Sequence, residues 1–461
     1  MEKIKFGTDG WRAKIAEGFT FKNLARVVDA YAVFMQKEKK HPSIAVGYDN
    51  RFMSERYAVF TAKRLAERGF SVYLFDAAVH TPLVSFAVVN KKLDGGVVIT
   101  SSHNPFTYNG FKIKDKFGAG AGPEDTKRIE KILERGKKPL KGKGRIKRIN
   151  LDDEYIEEAK KIVDVDLIKK SKVRIVLDVM FGSGAGYIER ILKGYKNIRV
   201  INNRRDPLFG GINPEPIKQN LKQLSAEVKK RKAGIGIALD GDGDRMGVVD
   251  DKGRYLSPHK VFAFLVLHHI NIKKMMPDVV RTISGTMLLD KIADRNRLKL
   301  YEVPVGFKNI AGYLKEHHNM TGGEESGGVG FGYYLPERDG VIGNLLLLEY
   351  LAAKKKKISS LLAETDKEYG VYRYDRIDKK FREEERAKIL SAVNSLEKKG
   401  RILKNRIKKV NRLDGTKYIL ESGEWLLFRF SGTEPLLRIY CEASSEKRVR
   451  ELLSFGADVT G

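Results

Sequence analysis

The residues best suited to chemistry are Asp240-Gly241-Asp242-Gly243-Asp244-Arg245. They follow Ile235-Gly236-Ile237-Ala238-Leu239, an apolar run that reads as a buried strand. Alternating glycines relax the backbone, so three carboxylates can converge on one point. Two such charges about 4 Å apart repel by about 4 kcal/mol at intermediate dielectric, and a divalent cation relieves that repulsion. All-oxygen ligands favour Mg²⁺ over Mn²⁺ or Ca²⁺ in a catalytic role, and too few protein ligands leave positions for a phosphoryl oxygen. An EF-hand does not fit, because its glycine position holds Arg245 and its last acidic position holds Asp251. The bland alternative is a solvated acidic turn.

Thr100-Ser101-Ser102-His103-Asn104-Pro105 likewise follows an apolar run, Gly96-Val97-Val98-Ile99. Ligands of open α/β sheets bind outside the carboxyl ends of strands, which makes Ser102 a candidate nucleophile. Ser, Asn and Pro would equally serve an ordinary turn. No Gly-x-Ser-x-Gly elbow surrounds Ser102, and a histidine adjacent on a short turn is poorly placed as its base, which argues against acyl transfer.

Two further loops resemble anion or hydroxyl grips. Arg429-Phe430-Ser431-Gly432-Thr433-Glu434-Pro435 offers a guanidinium, two hydroxyls and a glycine amide, with Arg438 close behind, and suits a phosphate dianion. Gly322-Gly323-Glu324-Glu325-Ser326-Gly327-Gly328 offers acceptors and a hydroxyl for a polyol, although a tight turn explains its glycines equally well. A serine, a carboxylate cluster for Mg²⁺, a phosphate grip and a hydroxyl-binding loop together fit phosphoryl transfer to and from a phosphorylated sugar through phosphoserine.

The elements that position these loops follow from periodicity. Thr20 should cap a helix with Leu24, Val27, Val28, Tyr31 and Phe34 on one face. Ile44–Val46 reads as a strand, Ser54 as the cap of a helix running to Arg68 with Gly69 as its stop, Val72–Phe75 as a strand, and Pro82 as a helix start. This is a βαβαβ unit with a parallel sheet. The pattern recurs after a basic linker (Lys137, Lys138, Lys141, Lys143, Arg145, Lys147, Arg148) and again after Pro258, and a smaller α+β unit closes the chain. The predicted fold class is three related α/β domains with mixed or mostly parallel sheets plus a C-terminal α+β domain. The expected divisions are 1–148, 149–255, 256–368 and 369–461.

At 461 residues the chain exceeds a single core. It contains no 18-residue apolar run and no signal-peptide core, so we expect a cytoplasmic protein without a membrane span. The one cysteine, Cys441, excludes an intrachain disulfide and reads as a buried thiol. A formal net charge of +29 raises nucleic acid as a partner, yet aromatic RNA-reading and zinc-finger signatures are absent. Mostly solvated lysines and arginines account for the charge.

The chain resembles the α-D-phosphohexomutase superfamily, the phosphoglucomutase and phosphomannomutase enzymes. The resemblance covers nearly the whole length and rests on Phe6-Gly7-Thr8-Asp9-Gly10-Trp11-Arg12, Thr100–Pro105, Asn109-Gly110-Phe111-Lys112, Asp240–Arg245, Gly306-Phe307-Lys308, Gly323–Gly328 and Arg429–Pro435, in family order. It implies four domains around a central cleft. It also implies that Ser102 carries the phosphoryl group, that one Mg²⁺ is held by Ser102, Asp240, Asp242 and Asp244, and that His103 and Arg12 steady the phosphoserine. Lys112 resembles the family's proton-transfer candidate. Arg245 and Lys308 would complement phosphoryl or substrate charge, Glu324 and Ser326 would bind sugar hydroxyls, and Arg429, Ser431, Gly432, Thr433 and Arg438 would hold the non-reacting phosphate. The implied cycle passes through a hexose 1,6-bisphosphate, which also primes the enzyme. The implied partners are hexose phosphates, with no specific nucleic acid and no membrane, in a monomer or homodimer.

This chain departs from the dual-specificity members in having Gly328 where many have histidine and Glu325 where methionine is usual. Glu-Glu-Ser looks more like phosphoglucomutases, which points to glucose phosphates and away from phosphoglucosamine mutases, whose loop usually has glutamine at Glu325. It leaves the second acid/base unassigned. The alternatives are phosphomannomutase or dual activity and, from other classes, a metal-dependent sugar phosphatase or a basic nucleic-acid-binding protein.

Overall fold

The computed structural model describes residues 4–7, 10–432 and 435–461, which form four sheets in succession along the chain. In the first, Ser43–Tyr48, Ser71–Phe75 and Gly95–Ile99 run parallel, as their apolar pattern predicts. Thr20 caps the helix Phe21–Gln36 by accepting the Asn23 amide, and Pro82 lies in the first turn of Thr81–Asn90, where its missing N–H is harmless.

Three local expectations are corrected here. Ser54 is the first residue of its helix rather than the cap; Met53 precedes it at φ 64°, and the Ser54 hydroxyl donates instead to the buried Asp49 carboxylate at 2.7 Å. That helix ends at Ala66, short of Arg68. The basic linker is partly a strand: Arg145–Ile149 pairs parallel with Ser71–Phe75 as a sheet edge. Its cations stay in water while its backbone is hydrogen-bonded on one side, a pattern that hydrophobic periodicity does not reveal.

The sheet is mixed, because Tyr108–Lys114 returns antiparallel beside Gly95–Ile99 and Gly10–Lys14 pairs antiparallel with it in turn. The same reversal recurs. In the second sheet the parallel strands Ile175–Asp178, Ile198–Ile201 and Ile235–Leu239 are followed by antiparallel Met246–Asp250. In the third, Asp278–Thr282, Leu300–Val303 and Met320–Gly323 are parallel and Val329–Phe331 turns back. The fourth sheet is antiparallel throughout, and Trp425–Phe430 pairs with Leu436–Ala443. Each chemically rich loop therefore joins two hydrogen-bonded neighbouring strands. Both ends are anchored, so its side chains are held more closely than on an open connection.

The sequence reading had no strand at Asn405–Asn411 or Thr416–Leu420. The first is largely charged and amide residues, which alternation of apolar positions cannot flag. In this last unit Ile389, Val393, Leu396, Val449 and Leu452 pack with Leu426, Phe428, Ile439 and the buried, unpaired Cys441. The larger core runs from Leu83 and Phe86 through Tyr155 and Ile188 to Leu345–Leu348 on the helix Gly340–Lys354. That helix is buried on nearly every side, and each enclosed leucine contributes about 1.5–3 kcal/mol. No described helix is long and apolar enough to cross a membrane.

Candidate active site

Ser102 occupies the turn between Gly95–Ile99 and Tyr108–Lys114, at φ 52°. A left-handed serine costs on the order of 1 kcal/mol or more, so its surroundings must hold it. Arg51 does much of this. Fully buried, it donates to the carbonyls of Ser102 (2.6 Å), Asn104 (2.7 Å), Pro105 (2.8 Å) and Tyr108 (3.1 Å), while its Nε donates to Asp49 at 3.1 Å. Asp49 also accepts from the Thr100 hydroxyl at 2.6 Å, and Thr100 Oγ1 accepts the Ser102 amide at 2.9 Å. Sequence reasoning missed this pair. The available signal was a strand-end segment, Asp49-Asn50-Arg51, following Ser43–Tyr48.

The Ser102 hydroxyl points at the acidic loop and donates to Asp240 Oδ2 at 3.0 Å. Asp240, Asp242 and Asp244 are fully buried, with one oxygen of each lying within 4.8 Å of the others. Their Oδ2 atoms are committed: Asp242 accepts from Thr81 (2.6 Å) and Lys112 (3.0 Å), and Asp244 from Lys112 (2.9 Å) and Arg338 (2.8 Å). Among the described residues Asp242 Oδ1 and Asp244 Oδ1 have no hydrogen-bond partner. Two orphaned, buried carboxylate oxygens beside a third carboxylate are a fitting donor set for a hard divalent cation. Burial, then the charges of Asp242 and Asp244, push the Asp240 carboxyl well above its usual range. Burial pushes Asp242 upward too, but the Lys112 charge and the hydrogen bonds from Thr81 and Lys112 hold it well below.

His103 Nδ1 lies 3.4 Å from Ser102 Oγ. Desolvation, then Arg245 and Arg12, hold that imidazole neutral by lowering its pKa well below 6.5. Arg12 donates to Asn104 Oδ1 at 2.9 Å and so joins the same loop. Arg245 keeps a buried Nε with no hydrogen bond among the described residues, 3.9 Å from Asp244 Oδ1. A buried guanidinium edge without a hydrogen bond suits an anionic ligand.

The third loop meets the second directly. The Met246 amide donates to Gly327 O at 3.0 Å, and the Gly340 amide to Gly243 O at 3.1 Å. Ser326 Oγ donates to Glu324 Oε1 at 2.7 Å, and Arg338 spans Glu324 and Asp244. Arg338, Thr81 and Lys114 with its partner Glu337 were all absent from the sequence-derived site.

Four family models, for phosphoglucomutase/phosphomannomutase alpha/beta/alpha domains I, II and III and the C-terminal domain, match residues 3–140, 153–253, 258–369 and 379–458. A phosphoglucomutase/phosphomannomutase of Thermococcus kodakarensis is 34% identical across 98% of this chain and 97% of its own. The chain belongs to the phosphoglucomutase/phosphomannomutase family. It is thus a phosphotransferase mutase of the α-D-phosphohexomutase superfamily. A Pyrococcus abyssi protein named a probable phosphoglucosamine mutase is 32% identical over 97% of this chain and 96% of its own. A crystal structure from Thermus thermophilus, of a protein with suggested phosphomannomutase activity, superposes with a TM-score of 0.88 at 34% identity, covering 99% of each chain.

In this mutase Ser102, His103, Lys112, the aspartate triad, Arg245, Glu324 and Ser326 form one connected cluster, with Arg12 attached through Asn104. Among the described residues, Arg429 and Arg438 of the fourth sheet have their ion-pair partners in the C-terminal unit. Arg429 Nε donates to Asp414 at 2.7 Å, Ser431 is buried, Gly432 is exposed, and Arg438 lies 3.9 Å from Asp378 with its Nε lacking a hydrogen bond among the described residues. Thr433 lies outside the described residues. Lys308 is in the first turn of Phe307–Glu316, after Gly306 at φ 117°.

Proposed function

We propose that this enzyme interconverts hexose 1-phosphate and hexose 6-phosphate through phosphoserine at Ser102 and a hexose 1,6-bisphosphate, with glucose as its preferred sugar. The observation that carries this reading is the Ser102 hydroxyl, 3.0 Å from a buried three-carboxylate cluster. Mg²⁺ held by Asp240, Asp242, Asp244 and an oxygen of the Ser102 ester would stabilise charge on the transferring phosphoryl oxygens. A sugar hydroxyl attacks phosphorus, the bond to Ser102 Oγ breaks, and its electron pair returns to Oγ. Lys112, bonded to two carboxylates of the cluster, carries a proton between sugar and serine oxygens as the ester breaks and re-forms. Arg12 and His103 orient the ester, and Arg245 and Lys308 meet phosphoryl charge. Glu324 and Ser326 bind sugar hydroxyls, and Arg429, Ser431, Gly432, Thr433 and Arg438 hold the other phosphate. The functional domains are 1–148, 149–255, 256–368 and 369–461.

Glu324-Glu325-Ser326 supports glucose. An amino-sugar phosphate is the second reading, favoured by the similarity to the Pyrococcus abyssi protein. The test incubates the enzyme separately with glucose 1-phosphate, mannose 1-phosphate and glucosamine 1-phosphate, with Mg²⁺ and a trace of bisphosphate primer. Fastest conversion of glucose 1-phosphate with almost no inorganic phosphate released is the expected result; stoichiometric phosphate release would make the protein a phosphatase. Ser102→Ala should abolish isomerisation while circular dichroism is unchanged, and near-normal turnover in that variant would overturn the assignment.

A further inference from the structure

We propose that Arg338 and Gly328 are a matched pair: the arginine fills the room that any side chain at 328 would need, and from there straps the metal loop to the sugar loop. This rests on the mutase reading above for what the two loops do. Gly328 is not in the left-handed region, so backbone conformation does not require glycine there. Space does. A Cβ at 328 would lie 2.3 Å from Arg338 Cδ, 2.8 Å from its Cγ and 2.8 Å from Glu324 Oε1, all far inside van der Waals contact.

From that position the guanidinium reaches both ways. Nη2 donates to Asp244 Oδ2 at 2.8 Å and Nη1 to Glu324 Oε1 at 3.1 Å, with the guanidinium carbon 5.3 Å from the Phe307 ring centroid. The planar fork can satisfy two acceptors on different loops at once, which a lysine ammonium reproduces only as a single point charge. The stem is anchored by its neighbours. Glu337 pairs with Lys114 of the first sheet, and Asp339 accepts from Tyr155 Oη at 2.9 Å while capping Gly340–Lys354. Arg338 therefore starts from a fixed backbone and ends between Asp244 and Glu324. Glu324 in turn holds Ser326, so the strap sets where sugar-binding groups sit relative to the aspartate cluster. Arg338 is a positioning residue and part of the site's specificity.

The test is a double-mutant cycle on the full-length enzyme with Gly328→Ala, Arg338→Ala and the two combined, together with Arg338→Lys. KM and kcat for glucose 1-phosphate and the thermal midpoint are measured for each. In the native background Gly328→Ala should raise KM about tenfold with a smaller change in kcat and lower the midpoint; in the Arg338→Ala background it should change KM by less than about twofold and lower the midpoint by clearly less, only the flexible Glu324 carboxylate then having to move. Arg338→Lys should recover only part of the KM lost in Arg338→Ala. Equal costs for Gly328→Ala in both backgrounds, or failure to fold in both, would overturn the pairing. Folding only when Arg338 is also removed would support it. If the native enzyme isomerised no hexose phosphate, the mutase reading would fall on that result alone, while midpoint coupling would still decide the pair.

Discussion

Asp242 sits in the loop after the strand Ile235–Leu239 and Arg429 near the end of the strand Trp425–Phe430, and their surroundings differ sharply. Asp242 is fully buried and tied by Thr81 and Lys112, both contributed by the first unit. Arg429 is half-buried, and its Nε bonds to Asp414, whose same oxygen also accepts the Val305 amide at 2.9 Å. The first region keeps charges where water cannot screen them, so small displacements there are costly. The second presents its cations closer to solvent, where water screens them. In the cycle proposed above, the first region would lower the barrier and the second would bind equally in ground and transition states.

The largest expected effect comes from breaking the support under the first region. Arg51→Met should lower unfolding stability by about 3–5 kcal/mol in urea denaturation, since it strands the buried Asp49 and several carbonyls. Arg438→Met, with a long and partly exposed ion pair, should cost under about 1 kcal/mol. Equal costs would remove the contrast. Next, Asp242→Asn should weaken divalent-cation binding by more than about 100-fold in titration calorimetry, because losing an outer-shell partner alone costs about 10–100-fold. Unchanged cation dependence would disconnect the triad from the metal. Arg429→Ala should then raise KM for hexose phosphate about 10–100-fold with kcat within a few-fold, the signature of a uniform binding contact. A proportional fall in kcat would place Arg429 with the reacting groups.

Between about pH 7 and 6 the effect is smallest for a pH dependence that both regions share, because the histidines there are only beginning to titrate in the unfolded chain. Burial lowers His80, beside the aspartate loop, and His259, against Tyr374 of the fourth unit, from 6.5 to about 3. The unfolded chain binds more protons than the folded one between those values. Their contribution is thus fully present above pH 6.5 and is lost as pH falls toward 3. The thermal midpoint should decline through that window, and His259→Phe should flatten part of the decline. An unaltered slope in that variant would assign acid sensitivity elsewhere.

The order of strands and helices was largely legible because apolar periodicity is a property of local sequence. Thr20 and Pro82 mark real helix starts for the same reason. The Ser54 cap was misread because a tertiary acceptor, Asp49, competes for its hydroxyl. The polar strand Asn405–Asn411 and the edge strand Arg145–Ile149 carried no apolar signal. Ser102 and the aspartate triad were recognisable because their residue types are chemically unusual at strand ends. Arg51, Thr81 and Arg338 were not, since an isolated Arg or Thr in a sequence has no marked neighbours.

The sequence by itself determined which groups are available: a serine on a turn, three carboxylates spaced by glycines, and two arginines framing a hydroxyl-rich loop. Short-range backbone chemistry suffices for that, because strand propensity and glycine spacing act within a few residues. Tertiary structure alone decided that Ser102 faces Asp240 across 138 residues of chain and that Lys112 and Arg338 converge on Asp244. It also decided that Gly328 makes room for an arginine. Such contacts depend on how separate sheets pack, and burial gives them their strength by excluding the water that would otherwise satisfy each charge.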